Sequence, residues 1–106
     1  MSVVAAATAP GSSRPLPALL AGFAERVPAI SVTGVEMDSR RVAPGNLFLA
    51  CRGHAQHGLT FLDQATRQGA AVVAWEPVPQ QAVPVARIPE IAVEHLSARA
   101  GEIASR

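Results

Sequence analysis

The chain has 106 residues, of which 49% are hydrophobic and 4% aromatic, and its formal net charge is +1. This length suits one domain with an aliphatic core, and the near-neutral charge without a basic stripe argues against nucleic-acid binding. The sequence contains no lysine, which excludes a P-loop lysine and a Schiff-base lysine from its chemistry.

The sequence gives few indications of the cellular compartment in which the protein lies. Cys51 is the single cysteine, so no internal disulfide can form, which is typical of cytoplasmic proteins. The apolar opening lacks the basic region of a secretory signal, and no stretch is long enough to span a bilayer. The sequence therefore predicts a cytoplasmic protein without membrane insertion.

The first third of the chain predicts a tail, a helix and one or two strands. Residues 1–14 are small and lack periodicity, so we expect a flexible tail. A short helix is predicted over 15–27, ended by Pro28, from apolar residues at helical spacing: Leu16, Leu19, Leu20 and Phe23. Alternating apolar residues in 30–40 predict one or two short strands.

Two buried strands flank a helix in the middle of the chain. The run 46–51 is almost wholly apolar, as expected of a strand covered on both faces. Segment 59–69 predicts a helix with Thr60 as N-cap, an acidic residue three positions on, and Gly69 just past its end. Residues 70–75 predict the second buried strand.

The last third predicts a stiff Pro-rich loop over 76–84, a third strand over 85–88 and a helix that begins at Pro89. The apolar face of this helix would carry Ala92, Leu96, Ala100 and Ile103. The alternation of elements indicates an α/β sandwich with a largely parallel central sheet. Ligands of such sheets bind beyond the carboxyl ends of the strands, so the loops 37–40 and 52–58 are the candidate site.

Asp38, Ser39 and Arg40 place a carboxylate, a hydroxyl and a guanidinium side by side. A phosphate or diphosphate could accept hydrogen bonds from Ser39 and from nearby backbone amides. The alternative is a strand end at which Asp38 makes an Asx turn and pairs with Arg40 or Arg41. Because such triplets are common, these residues alone favour the alternative.

The second loop offers histidines, a cysteine and glycines. His54 and His57 have H-x-x-H spacing in a loop without a zinc signature, which favours contact with a ligand or solvent over a metal site. Cys51 ends an apolar strand, a setting that suits a buried side chain better than a reactive thiolate. Gly53 and Gly58 are turn residues that could also let the backbone approach a ligand.

The order of these motifs, from 38 to 73, resembles the start of a Mur ligase, one of the ATP-dependent enzymes that build the peptidoglycan stem peptide. D-S-R is followed by P-G-x-L-F-x-A, then by G-H, then by F-x-x-x-A-x-x-x-G. The G-H pair favours the MurE type, the UDP-N-acetylmuramoyl-L-alanyl-D-glutamate ligases. The resemblance covers about residues 15–105, and it implies that residues 15–106 form the uridine-nucleotide-substrate-binding domain of a longer ligase.

The resemblance also implies a binding site. The family's contacts with UDP-MurNAc-dipeptide fall on five positions: Met37, Ser39, His54, Ala55 and Gln56. Ser39 would hydrogen-bond the diphosphate region, while Met37 and the 54–56 loop would hold the uridine. Four residues would support these loops: Asp38, Arg40, Gly53 and Gly58. Many MurE-type sequences carry Asp where this chain has His57, so the resemblance gives position 57 no clear role.

For the whole enzyme the resemblance implies ATP and Mg²⁺. The D-Glu carboxylate of UDP-MurNAc-L-Ala-D-Glu would be activated to an acyl phosphate and attacked by an amine, expected to be that of meso-diaminopimelate. The family's G-T-N-G-K-[TS] loop is absent from these 106 residues. We therefore expect no catalytic residue, bound cofactor or metal in this fragment, and no activity from it alone. Cell-wall or division proteins are conceivable partners, although no surface is singled out.

Two alternatives stay open. A MurF-type ligase, which adds D-Ala-D-Ala, shares D-[ST]-R and P-G-x-L-F, and only downstream sequence would separate the two types. A freestanding α/β module would bind a protein partner and no nucleotide, and Ser39 would then be dispensable.

Overall fold

The computed structural model describes residues 13–24, 26–52, 57–79 and 83–105. Two strands form a small antiparallel ribbon: β1 (Arg14–Pro15) and β2 (Ser31–Val32). Four strands form a parallel sheet, side by side in chain order: β3 (Val35–Glu36), β4 (Leu47–Ala50), β5 (Val72–Trp75) and β6 (Glu90–Ala92). The helices are α1 (Leu16–Leu19), α2 (Leu62–Arg67) and α3 (Leu96–Ala104), with 3₁₀ turns at Ser39–Arg41 and Gly58–Phe61. The predicted α/β class with a parallel central sheet is confirmed.

The central sheet is covered on both faces. Leu47 and Leu49 of β4 enter one apolar cluster with α1 and α3, whereas Phe48 and Ala50 enter a second cluster with Ala65 of α2. All four residues of β4 are buried, and so are all four of β5. This two-sided burial explains why both strands appear in the sequence as continuous apolar runs. In the described part of the chain no helix has the length and apolar character needed to cross a membrane.

The N-terminal helix is shorter than the 15–27 segment predicted. Its leucines are buried as expected, but regular helix ends at Leu19, and Gly22 adopts a left-handed φ of 87°. A residue in that conformation takes the chain off the helical path. Arg14, the last residue of the predicted tail, pairs with Val32 in the ribbon, while the tail up to residue 12 lies outside the described residues.

The predicted helix over 59–69 begins differently from the prediction. A 3₁₀ turn over Gly58–Phe61 precedes α2. The N-cap of this turn is His57 and not Thr60, because Nδ1 of His57 accepts a hydrogen bond from the Leu59 amide at 3.0 Å. The helix end matches the prediction: Gly69 has a φ of 103°, and a Cβ there would lie 2.8 Å from the Pro44 Cα.

The strand predicted over 85–88 is wrong. Val85 is fully exposed, and the segment forms no strand. The strand that pairs with β5 is β6, which lies just beyond Pro89. Ile91 and Val93 are buried on either side of the exposed Ala92, which is the period of a strand with one covered face.

The last helix therefore begins later than predicted. Glu90–Ala92 is β6, so Ala92 does not belong to the helix. His95 adopts a left-handed φ of 57°, which separates the strand from α3. From Leu96 onward the predicted apolar face is confirmed, with Leu96, Ala100 and Ile103 buried.

Candidate functional site

The candidate site lies at the carboxyl edge of the parallel sheet. Segment 37–41 follows β3, segment 51–58 follows β4, and Glu76 follows β5 directly. Because the strands are parallel, all these segments emerge at the same edge. The structure therefore brings the first predicted loop and the two ends of the second to one side of the domain, and it adds Glu76, which was not predicted.

A pocket of about 500 Å³ opens beside the first loop. Its lining consists of Met37, Asp38, Ser39, Arg40, Phe61 and Gln64. Met37 and Phe61 expose 52% and 40% of their surfaces, so the pocket offers apolar side chains to a ligand, beside the exposed ion pair of Arg40 and Asp38. Its volume lies within the usual range of small-molecule sites.

Asp38 and Arg40 are occupied with each other. The Asp38 carboxylate accepts hydrogen bonds from the Arg40 amide at 2.9 Å and from the Arg40 guanidinium at 3.1 and 3.0 Å. These hydrogen bonds lower the pKa of Asp38 and raise that of Arg40. The Asx turn considered as the alternative is thus present, and it holds Arg40 beside the pocket.

Ser39 is held by two glutamines of helix α2 and its following turn. Its hydroxyl donates to Oε1 of Gln64 at 2.8 Å, and its carbonyl accepts from Nε2 of Gln68 at 2.9 Å. Ser39 is only 5% exposed. The sequence analysis missed Gln64. The signal that could have found it is the pair of amide side chains one helical turn apart on a helix whose other face is apolar.

The second loop is described only at its two ends. Gly53, His54, Ala55 and Gln56 lie outside the described residues, so their predicted contacts stay predictions. An antiparallel bridge joins Arg52 to His57, next to the 53–56 segment.

Gly58 closes this loop against strand β4. Its amide donates to the Cys51 carbonyl at 2.7 Å. A Cβ at Gly58 would lie 2.7 Å from the Ala50 Cα and 2.8 Å from the Cys51 amide nitrogen. Close packing on the protein's own backbone is thus sufficient to require glycine at this position.

Glu76 joins the second loop to α3. One carboxylate oxygen accepts from the Arg52 amide at 2.8 Å and from the Ser97 amide at 3.1 Å, and the other accepts from the Ser97 hydroxyl at 3.1 Å. Its backbone carbonyl lies 2.7 Å from Nε2 of His57. Burial alone would raise the pKa of Glu76, but the hydrogen bonds from Arg52 and Ser97 outweigh burial and lower this pKa. An acidic residue directly after a buried strand was the available sequence signal.

His57 has a structural role that the sequence left open. Since Nδ1 accepts from the Leu59 amide, Nε2 carries the proton and donates to the Glu76 carbonyl. A neutral imidazole therefore caps the 58–61 turn and ties it to β5. An aspartate at this position could supply the same cap.

Neither thiol nor metal chemistry gains support from the geometry. Burial, with a smaller contribution from the charge of Glu76, raises the pKa of Cys51 to about 11, so the thiol is protonated near neutral pH. Within the described ranges no group of three or more His, Cys, Asp or Glu side chains is placed to hold a metal ion.

Comparison with known proteins decides the family. The profile described as "Mur ligase family, catalytic domain" matches residues 31–106. The chain belongs to the Mur ligase family. The assignment from motif order is thereby confirmed.

Several curated relatives of this Mur ligase chain share the name UDP-N-acetylmuramoyl-L-alanyl-D-glutamate--2,6-diaminopimelate ligase. The protein from Xanthomonas oryzae pv. oryzae is 44% identical over 77 residues, which cover 73% of this chain and 15% of the relative. The protein from Streptomyces coelicolor is 35% identical over 107 residues, which cover 92% of this chain and 21% of the relative. The chain thus spans about a fifth or less of these relatives.

Solved structures confirm the fold. A crystal structure of MurF from Acinetobacter baumannii superposes with a TM-score of 0.64 at 20% sequence identity, covering 86% of this chain and 20% of that one. A second crystal structure of the same protein gives a TM-score of 0.57 at 21% identity. At this level of identity the similarity concerns the fold alone.

Proposed function

We propose that this chain holds the uridine-nucleotide end of UDP-MurNAc-L-Ala-D-Glu within a ligase that adds diaminopimelate as the third residue of the stem peptide. The observation that carries the proposal is the pocket beside β3, lined by the D-S-R loop, in a chain 35–44% identical to diaminopimelate ligases. A MurF-type function has less support, since the MurF structures share only the fold.

The residues of the pocket suit distinct parts of such a ligand. Ser39 would donate its hydroxyl to the diphosphate, and Arg40 beside the pocket would add favourable charge. Met37 and the 54–56 loop would hold the uridine, with the half-exposed ring of Phe61 as a further apolar contact. Asp38 and Gly58 keep the two loops in place through their contacts within the protein.

The chain's contribution to catalysis would be positional. The uridine diphosphate is a part of the substrate that does not react, and binding it fixes the D-Glu carboxylate for chemistry that occurs elsewhere in the enzyme. ATP would supply activation of that carboxylate, with Mg²⁺ on its phosphates. The residues of this chain do not fit either group, because the sequence has no lysine and the described side chains form no cluster of metal ligands. We therefore expect no ligation by the chain alone. For the whole enzyme we propose a cytoplasmic location.

A titration followed by the amide NMR signals of this chain tests the proposal. UDP-MurNAc-L-Ala-D-Glu should cause saturable shifts centred on residues 37–40 and 53–58. Ser39→Ala should weaken binding about tenfold, the typical effect of losing a hydrogen bond to a charged group. Ser31→Ala, which changes an exposed serine of the ribbon, is the matched control and should bind like the wild type.

Absence of shifts at millimolar ligand, in a protein whose spectrum shows it to be folded, would contradict the proposal. Equal affinity of the wild type and the Ser39→Ala variant would instead favour a site elsewhere on the domain.

A further inference from the structure

The hydroxyl group of Ser39 has one proton to donate, and that proton is already in use. It donates to Oε1 of Gln64 at 2.8 Å, and the serine is 95% buried at this position. A diphosphate offers only acceptor oxygens, so it needs the same proton. Binding at Ser39 therefore competes with Gln64.

Gln64 can meet this competition because its side chain carries both an acceptor and a donor. Rotation about the terminal torsion of a glutamine exchanges Oε1 for Nε2, and the preference of that torsion is broad. After such a rotation Nε2 would donate to Oγ of Ser39, while the serine proton would point to the ligand. The contact between the two side chains would be kept in both states.

We propose that Gln64 is a positioning residue: by rotating its side-chain amide, it frees the Ser39 hydroxyl proton to bind the diphosphate. The inference rests on the proposed function, because it presumes that a diphosphate binds at Ser39. It adds a residue to the site that the sequence did not indicate, and it assigns that residue a change of hydrogen-bonding state on binding.

The surrounding contacts favour an exchange of this kind. The Ser39 backbone is anchored separately, since its carbonyl accepts from Gln68 at 2.9 Å and its turn is held by the Asx bonds of Asp38. Only the hydroxyl proton and the Gln64 amide need to move. Gln64 also lines the pocket, so its rotation takes place where the ligand would lie.

Replacement of Gln64 by glutamate separates this role from a simple packing role. Gln64→Glu has nearly the same shape, but its carboxylate only accepts hydrogen bonds. It therefore cannot donate to Oγ of Ser39 once the serine O–H has turned towards the ligand. Affinity for UDP-MurNAc-L-Ala-D-Glu should fall at least about tenfold. Gln64→Leu, although it changes shape more, neither holds the serine proton nor donates to Oγ, so its loss of affinity should be clearly smaller than that of Gln64→Glu.

A double-mutant cycle removes the contribution of charge repulsion. Repulsion between the new carboxylate and the diphosphate would weaken binding equally with Ser39 and with Ser39→Ala. If Gln64 acts through the serine proton, Gln64→Glu should cost much less in the Ser39→Ala background. Uridine, which lacks phosphate, should bind the wild type and Gln64→Glu equally. Amide spectra and thermal unfolding of every variant confirm that the fold is retained.

Provided that the wild type binds, three outcomes would overturn the inference alone. Additive effects of Gln64→Glu and Ser39→Ala on affinity would show that the glutamate acts only by repelling the diphosphate. A loss of affinity in Gln64→Leu as large as in Gln64→Glu would show that Gln64 only packs against Ser39. Wild-type affinity in Gln64→Glu would remove it from the site. If the wild-type chain fails to bind the ligand, the proposed function and this inference are both refuted. If the wild type binds and the two substitutions have additive effects on affinity, only this inference is refuted.

Discussion

Removal of the Glu76 carboxylate should be among the most damaging single changes at the candidate site. Glu76 is 6% exposed and accepts hydrogen bonds from the amides of Arg52 and Ser97 and from the Ser97 hydroxyl. Hydrogen bonds to charged groups contribute about 1.5–3 kcal/mol each, but both donor residues are exposed enough for water to replace part of this. We therefore expect Glu76→Ala to lower the free energy of unfolding by about 3 kcal/mol.

Glu76→Gln is the matched control, because its side-chain oxygen can still accept both amides. It loses the charge that faces the N-terminus of α3, so we expect a loss of about 1 kcal/mol. Urea unfolding of the three proteins at pH 7 measures these differences. Equal stability of Glu76→Ala and the wild type would refute the view that this carboxylate joins the second loop to α3.

The same residue predicts a dependence of stability on pH. The pKa of Glu76 in the folded protein lies below its ordinary value of 4.5. Its contribution is therefore fully present above that pH and is lost as the pH falls through the folded-state pKa. Between pH 5 and pH 3 the wild type should lose more stability than Glu76→Gln. Parallel pH profiles of the two proteins would contradict the lowered pKa.

Three further predictions test other parts of the structure. Gly58→Ala should lower the free energy of unfolding by about 2–3 kcal/mol, because its methyl group would meet the backbone of β4. Gly101→Ala in α3, where nothing lies within 4 Å, should raise it by about 0.5–1 kcal/mol. The two urea midpoints should therefore move in opposite directions. His57→Ala should cost about 1 kcal/mol through loss of the cap, and His57→Asp should recover most of this in the same assay. Cys51 should react slowly with a thiol reagent at pH 7, at a rate that rises about tenfold per pH unit towards pH 11; fast reaction at pH 7 would show that the thiol is not protected by burial.

The central strands could be predicted because their environment is simple. β4 and β5 are covered on both faces, so every side chain is apolar and the run stands out in the sequence. The rule that ligands bind at the carboxyl edge of a parallel sheet pointed to the edge at which the pocket beside Ser39 lies. Gly69 was predictable as well, because a glycine just past the end of a helix is a local signal that needs no knowledge of its contact with Pro44.

The remaining features depend on contacts between distant parts of the chain. β6 is a short edge strand with alternating burial, and its Ala92 also fits the helical spacing of Leu96 and Ala100, so only pairing with β5 decides the assignment. Gln64 and Glu76 owe their roles to partners 25 and 21 residues away, and a local pattern carries no information on such partners. The cap at His57 was missed because a threonine nearby matched the commoner cap chemistry.

The order of the parallel sheet bears on how the chain folds. Neighbouring strands are also consecutive in the sequence, so each strand can pair with the one formed before it across a connection of 10 to 21 residues. Glu76 contacts both the end of β4 and the start of α3, so its hydrogen bonds require that β4 and β5 are already paired. We therefore expect Glu76→Gln to increase the unfolding rate in stopped-flow experiments and to leave the refolding rate nearly unchanged. Glu76 would then stabilise the finished sheet while having little part in its assembly.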